Sequence, residues 1–167
     1  MNVEDIGPLP TRPSPAPGHS FTLRFAGEPP VKTIGRSMRN ARSPQYPAFL
    51  ALRRAAIDAM AGRRWYEGLV GLYLTYEVPD PPSIHQRNYL GGIMDTLGAS
   101  QGPTFVYLPI VYIDDGQVAD TTVEIQVGPK VRYALTIAFL PLSHTEHVLR
   151  VFGSTAPSVP QSREDSK

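Results

Sequence analysis

Cysteine is absent from all 167 residues, which excludes disulfides, thiolate zinc sites and a cysteine nucleophile. No apolar run approaches the roughly 18–20 residues that a spanning helix needs, and the N-terminus lacks a basic-then-apolar signal. These absences lead us to expect a soluble, cytoplasmic protein with no membrane partner. A strong net charge is missing too, the formal value being +1. That even total hides a division. From Arg24 to Arg64 there are nine Lys and Arg (Arg24, Lys32, Arg36, Arg39, Arg42, Arg53, Arg54, Arg63 and Arg64) against Glu28 and Asp58. From Trp65 to Gly128 eight acidic residues face Arg87 alone. The chain has a basic half followed by an acidic half.

The length suits one domain with a real core. Proline is plentiful, and Pro8, Pro10, Pro13, Pro15 and Pro17 each fix φ and remove a backbone donor. Residues 1–19 are therefore expected to form an extended, disordered tail, residues 20–152 the domain, and the small, charged residues 153–167 a second disordered tail.

Within the domain, Phe21, Leu23 and Phe25 alternate as in a half-buried strand. Residues 31–43 lack apolar periodicity and read as a basic loop. Ala48 to Ala61 predicts a helix with Phe49, Leu52, Ala56, Ile57 and Met60 on its core face. Arg53 intrudes into that arc, either with its stem buried and its head in water or aimed at a phosphate or an acidic partner. Gly68 to Val78 predicts a strand with Val70, Leu72, Leu74 and Tyr76 toward the core. Asn88 is placed to cap a helix reaching Leu97. Its face of Asn88, Gly91, Gly92 and Asp95 is bare enough for a close approach, by a neighbouring strand or by a ligand. After the polar loop 98–103, the apolar run from Phe105 to Ile113 leaves a lid, an added edge strand or a dimer contact open. Val118 to Gln126 and Val131 to Leu140 predict a β-hairpin about Gly128-Pro129, and residues 143–152 a short terminal helix. The fold class expected is α+β, a mixed or antiparallel sheet with two helices on one face.

Chemistry concentrates at Tyr112-Ile113-Asp114-Asp115-Gly116-Gln117-Val118-Ala119-Asp120. Adjacent like charges repel unless a cation or a donor needs them, so Asp114, Asp115 and Asp120 are candidate catalytic or metal-binding groups. A plain polar turn, with Asp114 and Asp115 solvated or paired to Arg87, is the structural alternative. A metal set of Asp115, Asp120 and Asp95 with His85 as a nitrogen ligand would suit manganese or zinc better than magnesium. His144 and His147 share a helical spacing but lack a third ligand nearby. The basic half offers Lys32, Arg36, Arg39 and Arg42 on a loop and Arg53 and Arg54 on a helix, able to follow a DNA backbone without reading bases.

The spacing Asn88-x(6)-Asp95-x-Leu97, the later apolar pair running into Asp114-Asp115, and the order of the preceding elements from Phe21 to Asp80 resemble the RusA family of Holliday-junction resolvases. The resemblance covers roughly residues 20 to 140. It implies a homodimer, a branched-DNA partner and Mg²⁺-dependent endonuclease chemistry, with Asp115 in the place of a metal ligand and Asp114 in that of its acidic neighbour. The sequence departs from the family pattern Asp-x-Asp-Asn-x-x-Lys, reading His85-Gln86-Arg87-Asn88-Tyr89-Leu90-Gly91. The expectation is therefore a protein that binds branched DNA in recombination, repair or phage DNA metabolism with a degenerate nuclease site. An endonuclease with relocated ligands and a scaffold that keeps only the fold are the alternatives.

Overall fold

The computed structural model describes residues 8–80, 87–99 and 107–141. Along the chain come β1 (Ser20–Ala26), α1 (Tyr46–Met60), β2 (Val70–Val78), α2 (Tyr89–Leu97), a 3-10 turn (Asp115–Gln117), β3 (Val118–Val127) and β4 (Arg132–Phe139). The strands form one mixed sheet in the order β1-β4-β2-β3. β4 is antiparallel to both β1 and β2, whereas β3 runs parallel to β2. The fold class is α+β.

Strand alternation decides which side is filled. Val70, Leu72, Leu74 and Tyr76 of β2 and Tyr133, Leu135, Ile137 and Phe139 of β4 are all buried. They meet Leu52, Ala56 and Met60 of α1 and Ile93 and Leu97 of α2 in one cluster, so both helices cover the same face. Each Val, Leu, Ile, Phe and Met among them contributes about 1.5–3 kcal/mol by leaving water.

β3 and β4 do not form the expected hairpin. Gly128-Pro129 does reverse the chain, but the turn passes over the end of β2, where the Gly128 N–H donates to Val78 O at 3.1 Å. Glu77 holds the crossing, accepting from Lys130 N at 3.3 Å and Arg132 Nε at 2.5 Å. The reason lies in burial: the four inward residues of β4 need covered neighbours on both sides, and only a place between β1 and β2 supplies them. β3 is mostly exposed and takes the edge.

Residues 8–19 are extended, as their prolines require, but docked rather than disordered. The N–H groups of Thr11 and Arg12 donate to Gly62 O at 2.9 and 3.0 Å, and Gly18 N–H donates to Phe139 O at 2.7 Å. Ser14 Oγ donates to Trp65 O at 2.7 Å. At Gly92, on the bare face of α2, the close approach is made by loop backbone rather than by a strand. A Cβ on Gly92 would stand 2.1 Å from the carbonyl oxygen of Pro30, so glycine there admits the chain leaving β1. The expected helix over 143–152, the pair His144 and His147, and the tail 153–167 lie outside the described residues.

A candidate nucleic-acid interface

The basic loop is built rather than loose. Its first residue, Val31, is buried and donates its N–H to Gln45 Oε1 at 3.0 Å. Lys32 N–H donates to Asn88 O at 3.1 Å, tying the loop to the start of α2. Short-range polar contacts then shape the crest: Ser37 Oγ accepts from Arg39 N–H at 3.3 Å and Asn40 Oδ1 from Arg42 N–H at 2.9 Å. Met38, only 4% exposed, anchors the middle in a small cluster with Phe49 and Tyr107.

Two open concavities result. One of about 270 Å³ is lined by Lys32, Thr33, Gly35, Arg36, Ser37, Met38, Arg39 and Asp95. The next, of about 310 Å³, shares Gly35, Arg36 and Ser37 and adds Asn40, Arg42 and Ser43. Cations and hydroxyls gathered on one loop are what phosphate oxygens pair with.

Asp95 and Asp115 come close enough to interact, although twenty positions separate them. Asp95 lies in the last turn of α2, and Asp115 opens the 3-10 turn. Partial burial pushes the Asp115 carboxyl above its ordinary value, and the Asp95 charge adds to this, while Lys32 and Arg39 act against it. Lys32 Nζ pairs with Asp95 Oδ1 at 3.1 Å. Arg39 donates instead to the Asp95 backbone carbonyl at 2.5 Å. Burial lowers its pKa, opposed first by Asp95 and then by Tyr107 and Asp115. Beneath the pair, Tyr112 is fully buried, and its hydroxyl donates to Met94 O at 3.1 Å. Burial, then the charges of Asp115 and Asp95, hold that phenol protonated far above its ordinary range.

The other carboxylates go elsewhere. Asp114 caps the 3-10 turn, accepting from Gly116 N–H at 2.7 Å. Asp120 accepts from Tyr73 Oη at 2.7 Å on the sheet face away from the helices, where burial and this bond push the phenol up to about 12. Strand parity explains the separation, because Asp120 pairs in register with outward-facing Gly71. Arg87 pairs with Glu28 rather than with Asp114 or Asp115.

No protein-family model matches this chain, and no curated protein matches it in sequence. The geometry alone therefore carries the account of the site. Among the described residues, no group of three or more His, Cys, Asp or Glu is placed to hold a metal ion. Asp95 and Asp115 supply two carboxylates where Mg²⁺ demands near-octahedral oxygen ligation, and Lys32 already sits on one of them. On their own, these two carboxylates fall short of that set. His85, the expected nitrogen ligand, lies outside the described residues.

Of the basic residues, Lys32, Arg36, Arg39 and Arg42 line the concavities, and Arg54 is exposed on α1. Arg53 is only 2% exposed. Its guanidinium lies 4.9 Å from the Tyr107 ring centroid, and its Nη2 donates to Leu108 O at 3.4 Å. Its head is thus withdrawn from water, against the Tyr107 ring.

Two residues that organise the site were missed in the sequence. Gln117 accepts from Ile113 N–H at 2.8 Å and Asp114 N–H at 3.1 Å, and donates to Tyr66 O and Gly68 O at 2.9 and 2.8 Å. It welds the acidic turn to the entrance of β2. Asp-x-x-Gln is a capping-box spacing and was the available signal. Tyr107 lies under both Arg39, at 5.1 Å, and Arg53; nothing in the local sequence marked it.

Proposed function

We propose that this protein binds branched DNA, four-way junctions above all, by neutralising backbone phosphates along loop 31–43, and that it does so as a homodimer with a RusA-like fold. The observation that carries the reading is the pair of adjoining concavities that share Arg36. Together they line up Lys32, Arg36, Arg39 and Arg42, cations with hydroxyls between them. Recognition is of shape, since none of these groups lies on an element able to enter a groove and read base edges. The resemblance at Asn88, Asp95, Leu97, Asp114 and Asp115 supports junctions as the target. A twofold dimer would present two such loops to a symmetric branch.

A labelled four-way junction tests this. With about four phosphates neutralised, affinity should fall about a hundredfold between 50 and 200 mM salt. Replacing Arg36 and Arg42 together by Gln, both of them exposed, should weaken binding about tenfold while leaving the melting temperature nearly unchanged. Equal competition by linear duplex would remove the branch preference, and no binding at low salt would remove the DNA reading altogether.

The nearness of Asp95 and Asp115 favours one second reading, a metal-dependent endonuclease with relocated ligands. The same junction incubated with Mg²⁺ or Mn²⁺ separates the two. Cleavage by the native protein, abolished by Asp115→Asn, would establish the second reading.

A further inference from the structure

The two cations at Asp95 are held in different ways. Arg39 is fixed at three points: its donation to the Asp95 carbonyl, the Tyr107 ring, and the partial burial of its guanidinium. Lys32 is anchored only at its root, by its backbone N–H to Asn88 O. Its ammonium is exposed and bonded to Asp95 Oδ1, and its four-carbon stem can swing about that root. Asp95 itself sits in an unfavourable place. It lies in the last turn of α2, where the helix dipole already concentrates negative charge, and it faces Asp115. It also lines the very concavity that Lys32, Arg36 and Arg39 share. A carboxylate in a phosphate subsite repels the ligand unless something neutralises it.

We propose that the Lys32–Asp95 pair is a latch on a subsite for a single phosphodiester group. In the free protein Asp95 holds Lys32; when a strand enters the concavity, Lys32 transfers to a phosphate oxygen beside Arg36 and Arg39. Asp95 thereby sets the affinity by competing with the phosphate for one cation. The ligand class follows from the lining, which is the fixed cation of Arg39, the exposed cations of Arg36 and Lys32, and the hydroxyls of Thr33 and Ser37. This rests on the DNA-binding reading for its natural ligand, though the latch itself requires only a phosphate-like polyanion.

The test is a double-mutant cycle of Asp95→Asn and Lys32→Gln, read on the labelled junction and, separately, as the salt concentration that elutes each protein from immobilised heparin. Asp95→Asn should tighten junction binding about five- to tenfold and steepen the salt dependence by about one phosphate's worth. Lys32→Gln should weaken binding by a similar factor. On the Lys32→Gln background, Asp95→Asn should tighten binding by clearly less than it does on the native one, because the carboxylate's repulsion is still relieved but its competition for Lys32 is already gone. An equal gain on both backgrounds would show simple repulsion and overturn the latch, as would an unchanged affinity in Asp95→Asn. If the junction is ignored by every variant while heparin elution shifts in the expected order, the DNA reading falls and the latch stands. Identical elution of all four proteins, with identical junction binding, sinks the latch alone.

Discussion

The two hydrophobic clusters of this molecule do different jobs. The larger joins β2, β4 and the inner faces of α1 and α2, and holds the sheet to its helices. The smaller consists of Met38, Phe49 and Tyr107, with Tyr46 and Leu50 packed against it, and holds the basic loop. α1 serves both, turning Leu52, Ala56 and Met60 to one and Phe49 to the other. The fold and the placement of the cations are thus secured by separate sets of contacts, and the two can be broken separately.

Leu135→Ala should show the largest effect. Leu135 is fully buried at the centre of β4, and such truncations cost about 2–5 kcal/mol. Chemical denaturation should report that loss in one cooperative transition, with loop and sheet lost together. Met38→Ala should cost less, about 1 kcal/mol globally, yet it should raise amide exchange across residues 31–43 more than elsewhere, since a loop can open without the sheet. If Met38→Ala lowered exchange protection in β2 and β4 as much as in the loop, the two clusters would be one unit.

The smallest effect concerns charge. The folded state holds the Asp115 proton more tightly than the unfolded chain does, because burial and Asp95 raise its pKa. Its contribution therefore favours folding below the ordinary value of 3.8 and is lost as pH rises through the folded value. Asp115→Asn should raise the melting temperature at pH 7 by about 1–2 °C, a small figure because the group is partly solvated. The gain should vanish in melts below about pH 3.8. A gain that persisted there would mean the carboxylate's charge is not the cause.

Much of this was legible where a rule is local. Alternation assigned the inward faces of β2 and β4, and Asn88 was recognisable as a cap because its side chain needs only Gly91 N–H, three residues on. Neighbours in the sheet were not legible. The Gly128-Pro129 turn looks the same whether the next strand lies beside the last or one strand beyond, and the choice is made by burial demands summed over the whole of β4. The site shows the same limit. Helical periodicity marked Arg53 as out of place among core residues, but its resolution, the ring of Tyr107, comes from a segment more than fifty residues away. The closeness of Asp95 and Asp115 depends on how residues 107–113 return the chain, with Ile110 and Val111 both donating their N–H groups to Leu97 O. Asp120 was grouped with them on spacing, and the strand's pleat sent it to the opposite face.

The strand order bears on how the chain reaches this state. Among the described residues β1 borders only β4 in the sheet, and the Thr22–Thr136 hydroxyl contact joins residues 114 positions apart. During synthesis β1 has no partner until β4 emerges, and β2 meanwhile can pair on one side only. Closing so long a loop costs entropy before any contact offsets it, so folding should be slow for a chain of this size. Until β4 arrives, the apolar sides of Phe21, Leu23 and Phe25 are open to other chains, which makes the interval before completion the time of greatest risk of aggregation.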